Sequence, residues 1–567
     1  MPDPRPADGA DTVDPPAAAR PGGGPPSGGA AERADAGAGR RIARASTLIE
    51  ALFLAAKLVG LWRERVIGAR FGISADYDAY VAAFRVPDLL FTLFAGGALV
   101  SAFLPVFAAA LADDDRDGAW RLANGVTNLV VAATAVAAAA AFVAAEPLAR
   151  LLTPDVPAAQ QLLTARLMRI VLASTLIFAV SGLQFGILNA FQHFLTPALA
   201  TVVYNLGIIG GAVWLSPRLG IDGLAWGVVA GAALHLAVKL PPLWRRGWRW
   251  RPVLALGDAR VRRVAALLWP RMLSLGAVQA VFVANTRLAS AAGEGALSAL
   301  NYGWIISQMP QSILGTAVGT AAFPTLAELA ARGRRAELRR TAADTLAAMT
   351  AATVPAAVAL TMLAGPTVQV LLQTGRFDAE AAALTAAALR MFALGLLGHV
   401  TLEVSARLYY AQQDTRTPLV IALGTMAVNI ALAVGLTAAA AAAGLGRDAA
   451  VAGIALANSV AVSGEVVVAL WWMRRRLGGI EGRQLATALA RAAAAGAAMA
   501  AAMAAAGAAL PATPIDVPVL RGPLGDGLVR LAVPGVAGAL SYGAAALALG
   551  IVPRARLARW LRWGRRG

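Results

Sequence analysis

Charged side chains stand inside an apolar stretch near the start of the chain, where they have few ordinary reasons to be. Lys57 lies within the apolar run, and GLWRERVIGARFG at 60–72 carries Arg63, Glu64 and Arg65. At 100° per residue, Lys57 and Glu64 share one helix face and Arg63 flanks it. Ionisable groups in an apolar helix usually face a partner or a polar cavity. We therefore interpret Lys57, Arg63 and Glu64 as cavity residues; for Arg65 a position at the membrane interface fits equally well.

Further charges follow in later apolar segments, and the set holds more cations than anions. The second segment adds Asp78, Arg85 and Asp88, and the last two are spaced to pair on a helix. Three more arginines complete the predicted cavity: Arg271, Arg287 and Arg407. A basic cavity favours an anionic substrate, and guanidinium suits phosphate because its fork binds two oxygens. Glu403, Asn429 and Glu465 are candidates for a coupling-ion site.

The sequence has no sign of enzyme catalysis. Cysteine is absent, and the three histidines, at 193, 235 and 399, lack metal-ligand spacing. There is no P-loop, HExxH or catalytic GxSxG motif. We predict a non-enzyme with no catalytic residue, no bound metal and no cofactor beyond a coupling ion. The basic run LWRRGWRWRP at 243–252 and the net charge of +18 indicate anionic lipid headgroups rather than nucleic acid.

The elements that position these charges are apolar helices. The chain is 58% hydrophobic and 14% charged, whereas soluble domains average about 45–50% apolar and about 25% charged. About fourteen apolar segments recur, each close to the roughly 20 residues that cross a bilayer. The fold class is therefore an all-α polytopic membrane protein. Residues 1–44 are rich in Pro, Ala and Gly and are predicted to form a disordered tail.

Charge in the connecting segments predicts the orientation. An even number of spans places both termini on one side of the membrane. The tails and even-numbered connections hold about 32 Lys and Arg residues, against about nine in the other connections. Because positive loops mark the cytoplasmic side, both termini are predicted to be cytoplasmic, including the basic tail at 553–567.

An internal repeat divides the chain into two halves. Residues 168–199 and 389–420 align without a gap and share polar positions: Arg169 with Arg390, Gln192 with Gln413, and, just beyond, Asn205 with Asn429. An even number of spans separates the copies, so the halves have parallel topology. Two six-helix lobes around a central cavity are typical of a transporter. The predicted lobes are 45–245 and 260–475, followed by two extra helices within 484–552.

Four segments resemble one known family in the same order along the chain: GLWRERVIGARFGISADYDAYVAAFRVPDLLFTLFAGGALVSAFLPVF (60–107), ILNAFQHFLTPALATVVYN (187–205), SILGTAVGTAAFPTLAELA (312–330) and the region 371–423 around LYYAQQDTRTPLVIAL. They are similar to the MurJ/MviN family, the lipid II flippases. The resemblance runs from about residue 45 to about residue 475 and implies the multidrug/oligosaccharidyl-lipid/polysaccharide exporter fold. It also implies a bacterial cytoplasmic-membrane protein that moves undecaprenyl-pyrophosphate-linked peptidoglycan precursor outward.

The resemblance assigns particular positions. The family's cavity cations fall on Lys57 and Arg63, its adjacent acid on Glu64 and its second-helix aspartate on Asp78. Three positions depart from the family pattern: Phe91 and Ile305 stand where the family has arginine, and Gly96 where it has glutamate.

Two alternatives remain open beside a lipid II flippase working by alternating access. One is a divergent exporter of another lipid-linked glycan. The other is a non-transporting membrane scaffold for cell-wall synthesis enzymes, which would also be partners of a flippase. Coupling to Na⁺, to H⁺ or to the membrane potential alone is equally compatible with the sequence.

Overall fold

The computed structural model describes residues 52, 54–414, 416–515 and 522–551. Some side chains in three helices are not described, among them the side chain of Arg271. The tails predicted at 1–44 and 553–567 lie outside these residues. Every regular element in the described part of the chain is a helix, as the all-α prediction requires. The boundaries predicted for the lobes remain a prediction.

The N-terminal half begins with α1 (54–71) and contains the following helices: α2 (Ala75–Ala83), α3 (Arg85–Phe94), α4 (Gly97–Ala112), α5 (Arg116–Val143), α6 (Ala145–Leu152), α7 (Ala158–Ala190), α8 (Leu195–Gly210), α9 (Ser216–Leu219), α10 (Ile221–Ala237) and α11 (Leu240–Arg245). Helices α2 to α4 together form one span, Ala75–Ala112. It is interrupted next to Pro87, which lacks an N–H, and again at residues 95–96, which include Gly96. Helices α8 and α10 approach closely: a Cβ on Gly207 would lie 2.3 Å from the Cα of Gly231.

The C-terminal half contains α12 (Ala259–Ala292), α13 (Ala296–Ala331), α14 (Arg335–Met362), α15 (Ala364–Leu372), α16 (Ala379–Leu394), α17 (Leu396–Ala411), α18 (Arg416–Ala442) and α19 (Gly446–Leu477). Two more helices follow, α20 (Gly482–Ala508) and α21 (Pro523–Ala548). They pack against each other and against α14 and α15. The Tyr542 hydroxyl ties α21 to this half by donating to the Ala351 carbonyl at 2.6 Å.

Ten helical segments of the described chain are long and apolar enough to cross a membrane, and the bent pair α16–α17 makes eleven. The other three of the fourteen predicted spans are α1, α12 and α13. Both α1 and α12 carry several charged residues, which lower their hydropathy. The count of fourteen therefore stays a prediction.

The repeat seen in the sequence reappears in the backbone. Gln192 and Gln413 both adopt left-handed conformations, with φ of 53° and 59°. Each stands in the turn before a Thr-Pro helix start, and in each copy the next residue bonds the threonine: His193 Nε2 is 2.6 Å from Thr196 Oγ1, and the Thr417 hydroxyl donates to Asp414 Oδ2 at 2.6 Å. The copies differ in shape, since α7 is continuous while α16 and α17 meet at 44°.

The buried apolar residues show how the halves meet. One large cluster combines both halves, with Tyr77, Tyr80 and Ala83 beside Tyr302 and Phe377. Two other clusters are separate from it: one joins α4, α5, α7 and the start of α12, and the other joins the ends of α13, α17 and α19 with the start of α14. The halves are thus packed together at the end that holds the loops at 72–74, 293–295 and 373–378, which we name the sealed end. The start of α12 also packs against α4 and α5 of the N-terminal half.

Candidate functional site

A polar cavity of about 160 Å³ lies between the two halves. Helix α1 contributes Arg63 and Glu64, α3 contributes Arg85 and Asp88, and α13 contributes Asn301 across the cavity. Its remaining polar lining is aromatic: Tyr77, Tyr80 and Tyr204. We name this space the central cavity.

Arg63 is held from two sides. Its guanidinium pairs with the neighbouring Glu64 carboxylate, and its Nη1 donates to Asn205 Oδ1 on α8 at 2.9 Å. Glu64 is only 5% exposed, whereas Arg63 keeps 23% of its side chain exposed toward the cavity. Charge-assisted bonds of this kind fix the guanidinium plane before any ligand arrives.

Arg85, on α3, also lines the central cavity. Its Nε donates to Thr286 Oγ1 on α12 at 2.7 Å, and its guanidinium lies 5.6 Å from the ring centroid of Phe282. The predicted pairing with Asp88 is replaced by these contacts. A neutral hydroxyl and an aromatic ring leave the charge of Arg85 uncompensated by direct contact, so it remains able to bind an anion.

Formal charges in the central cavity balance, because Arg63 and Arg85 face Glu64 and Asp88. The sequence led us to expect an excess of cation there. An anion that binds Arg63 must therefore compete with Glu64, which makes exchange of partners part of any binding event.

Asp78 stands at the sealed end and bridges the halves. Its carboxylate accepts from the backbone N–H of Gly295 at 2.6 Å and of Ser298 at 2.7 Å, and also from the Ser298 hydroxyl. It therefore caps α13 from α2, where the helix dipole favours a negative charge. The structure places this predicted cavity residue in the contact between the halves.

Neighbouring contacts complete the seal. The ring of Tyr77 stacks on Tyr302 at 5.1 Å, and Tyr302 meets Phe377 edge-on at 5.4 Å. Backbone bonds also cross the halves, with the N–H of Arg376 donating to the Ala69 carbonyl at 2.9 Å. Arg65 belongs to this end as well, since its Nη1 donates to the Val370 carbonyl at 2.6 Å.

The other predicted cations lie outside the central cavity. Lys57 is exposed on α1, two turns from Arg63 in the direction away from the sealed end, and Arg287 is exposed on α12. Arg407 pairs with Glu403 at 2.8 Å and lines a separate space beside Phe323 and Pro324. The side chain of Arg271 lies outside the described residues.

A second cavity, of about 370 Å³, is lined mainly by the C-terminal half, together with Arg85 of α3. It brings together two members of the predicted ion site, Asn429 and Glu465, while the third, Glu403, pairs with Arg407 instead. Asn285 joins them, and the side-chain oxygens of Asn285 and Asn429 are buried without a hydrogen-bond partner among the described residues. Unsatisfied buried oxygens beside a carboxylate suit a cation.

The three departures have local explanations. Ile305 adds an apolar group to the central cavity. Phe91 packs edge-on against Phe178 at 5.4 Å, and Gly96 adopts an extended conformation just before α4.

Tyr204 and Asn301 are residues of the central cavity that the sequence did not indicate. Asn205 was visible only as a repeat position.

Two helical halves sealed at one end around a charged cavity define a multi-pass membrane transporter of the two-lobed type. The family is shown by a family model described as lipid II flippase MurJ, which matches residues 67–513. The chain belongs to the MurJ family.

Two relatives agree with this assignment, and two solved structures share the fold. A probable lipid II flippase MurJ of Bdellovibrio bacteriovorus is 31% identical over 69% of this chain and 76% of its own length. The lipid II flippase MurJ of Burkholderia cenocepacia is 30% identical over 68% and 76%. A solved lipid II flippase MurJ in an inward closed conformation matches with a TM-score of 0.72 at 19% identity, covering 88% of this chain and 98% of that one. An inward-facing MATE family multidrug transporter of the MOP superfamily matches at 0.61 and 16% identity, over 76% and 95%.

Proposed function

We propose that this chain is a lipid II flippase, which moves undecaprenyl-pyrophosphate-linked peptidoglycan precursor from the inner to the outer leaflet by alternating access. The protein would be a transporter and not a catalyst. The observation that carries the proposal, beside family membership, is the pair Arg63 on α1 and Arg85 on α3, which line one interlobe cavity. Guanidinium groups from two helices suit the two phosphates of a pyrophosphate.

Substrate binding would exchange the partners of Arg63. The pyrophosphate competes with Glu64 for the guanidinium, while Asn205 continues to hold its Nη1. Lys57 lies two turns along α1 and is exposed, so it meets the headgroup before Arg63 does. The prenyl chain stays in lipid, outside the cavity.

The orientation follows from the loop charges. We propose a bacterial cytoplasmic membrane location with both termini in the cytoplasm, so that the sealed end faces outward and the substrate arrives from the other side. Opening the sealed end requires Asp78 to leave the N-terminus of α13. A membrane potential, negative inside, drives net negative charge outward by about 2.3 kcal/mol per charge per 100 mV.

We propose that a coupling cation binds in the second cavity, and that its ligands differ from the predicted set. The proposed ligands are Asn285, Asn429 and Glu465, with Glu403 outside the site. A bound ion raises the melting temperature of the purified protein by mass action. Added Na⁺ should raise the melting temperature of wild type and Glu403→Gln but not that of Asn429→Ala. A pH-dependent shift of the melting temperature without a Na⁺ effect would favour H⁺ coupling. Absence of both effects would favour the membrane potential alone.

Anionic lipids are proposed partners of the basic loop at 243–252. Asn128 holds this loop on α5 by donating to the Arg251 carbonyl at 2.6 Å and accepting from Trp250 Nε1 at 2.9 Å. The loop is thereby fixed while Arg245 and Trp244 remain exposed, a combination that suits headgroups. Cell-wall synthesis enzymes are proposed protein partners, and nucleic acid is not.

Complementation tests the proposal against its alternatives. The chain is expressed in a bacterium depleted of its own flippase, and lipid II in the outer leaflet is assayed. Rescue of growth with restored outer-leaflet lipid II supports the flippase. Correct insertion without rescue favours an exporter of another lipid-linked glycan if a different lipid-linked sugar moves, and the scaffold if none moves.

A further inference from the structure

A side chamber of about 210 Å³ lies within the N-terminal half, next to the central cavity. Asp88 and Tyr204 line both spaces, so they form a common wall. The chamber also receives His235 and Thr175, and the Thr175 hydroxyl is buried without a hydrogen-bond partner among the described residues. Unsatisfied polar groups of this kind are commonly bridged by water.

His235 is fixed at the back of the chamber. Its Nδ1 lies 2.7 Å from the hydroxyl of the buried Ser181, and its ring lies 5.2 Å from that of Phe178. With Nδ1 engaged by Ser181, Nε2 is the ring nitrogen left to exchange a proton.

Lys239 lies one helical turn beyond His235 and is completely buried. Its Nζ donates to the Ser181 carbonyl at 2.6 Å, so Ser181 contacts both basic groups. Neither Lys239 nor Asp88 forms an ion pair with another described residue. A buried ammonium without an anion is costly, and a second cation on His235 would raise that cost.

We propose that Asp88 and His235 form a proton-binding site in the N-terminal half, with Lys239 controlling its charge. The proton leaves the Asp88 carboxyl, crosses the chamber on water and binds His235 Nε2; Nδ1–H then donates to the Ser181 hydroxyl. The other titratable or charged groups that face the site are Tyr204 on the common wall and, in the central cavity, Arg85, Arg63, Glu64, Tyr77 and Tyr80.

The site connects proton binding to substrate binding. A pyrophosphate in the central cavity places negative charge next to Asp88, which favours a proton on that carboxyl and removes it from His235. This consequence rests on the proposed function, whereas the proton site itself does not.

The test uses nitrogen-15 histidine NMR on the full chain in lipid bilayers. The chain has three histidines, and His235→Asn assigns the His235 signal. At about pH 6, Lys239→Met should raise the ratio of doubly to singly protonated His235 by about tenfold, because a neighbouring cation is removed. Asp88→Asn should lower that ratio to a similar degree, because a neighbouring anion is removed.

His399 provides the internal control. It bonds Asn458 in the C-terminal half, so its signal should not change in either variant. An unchanged His235 ratio in both variants would overturn the proposal. If Lys239→Met does not fold, Asp88→Asn decides alone, since Asp88 is exposed to the cavity. If complementation fails while the NMR signals change as expected, the flippase is rejected and the proton site stands.

Discussion

The Asp78 carboxylate accepts the backbone N–H of Ser298 at 2.7 Å, although the two residues belong to opposite halves. A helix cap normally comes from the residue just before the helix, and here α2 supplies it to α13. The same interaction therefore stabilises a helix end and keeps the halves together. Any motion that opens the sealed end must leave the N-terminus of α13 without this cap.

Asp78→Asn should weaken the seal. The amide keeps one acceptor oxygen but loses the charge and the second acceptor, which costs about 1–3 kcal/mol, or roughly 5- to 150-fold in the ratio of sealed to open states. Because the chain has no cysteine, an Ala75→Cys/Glu294→Cys pair reports the seal by crosslinking with a short bifunctional maleimide. We expect a lower crosslinking rate in the variant.

Asp76→Asn is the matched control, because Asp76 lies on the same helix but is exposed. It should leave the crosslinking rate unchanged. Equal rates for Asp78→Asn and wild type would show that the cap does not hold the halves together.

Arg63 and Glu64 should affect pyrophosphate binding in opposite directions. Arg63→Gln removes the cation and should weaken binding of inorganic pyrophosphate by at least tenfold, whereas Glu64→Gln removes the competing anion and should strengthen it. Calorimetry on the purified protein measures both. Arg70→Gln, at an exposed position of the same helix, should bind like wild type; weaker binding in Glu64→Gln would mean that Glu64 positions Arg63 rather than competing for it.

The ion pair between Asp115 and Arg260 should be lost at low pH. The Arg260 guanidinium and the Gly118 N–H hold the pKa of Asp115, in the loop before α5, below its usual value. A carboxyl whose pKa is depressed in the folded state stabilises the native contact fully when the pH is above its unfolded-state pKa, about 3.9. This contribution disappears as the pH falls through the folded-state pKa. Hydrogen exchange at Gly118 should therefore lose protection only below about pH 4. Asp115→Asn should abolish this pH dependence. Loss of protection at Gly118 in wild type already at neutral pH would contradict the prediction.

Glycine should be tolerated at the two repeat turns. Gln192 and Gln413 have positive φ, which costs a non-glycine residue about 1–2 kcal/mol. Gln192→Gly and Gln413→Gly should therefore leave stability unchanged or raise it, while Gln192→Val should lower it by more than about 1 kcal/mol. Urea unfolding in detergent compares them. Similar losses for the glycine and valine variants would mean that the glutamine side chain, and not the backbone, matters at these turns.

The sequence predicted those features that local pattern determines. Apolar segments and the matched positions Gln192 and Gln413 indicated helices and a repeat, and the backbone reproduces both. Arg63 was recognisable because a cation in an apolar helix requires a polar environment.

Contacts between distant segments could not be predicted in this way. Nothing near Asp78 in the sequence indicates the N-terminus of α13, and Arg85 was expected to bond Asp88 at helical spacing but bonds Thr286 on α12. The balance of charge in the cavity also depends on which faces meet, since Arg287 is charged yet exposed elsewhere. A one-dimensional pattern identifies candidates for a cavity, and tertiary packing selects among them.

Transport in vesicles tests the central claim most directly. Purified protein is reconstituted with fluorescent lipid II, a potential is imposed, and the fraction of lipid II that becomes accessible to an external quencher is followed. Wild type should translocate lipid II, and Arg63→Ala, inserted and folded to the same extent, should not. Equal translocation by both proteins would contradict the role assigned to Arg63, and no translocation by folded wild type would contradict the flippase itself.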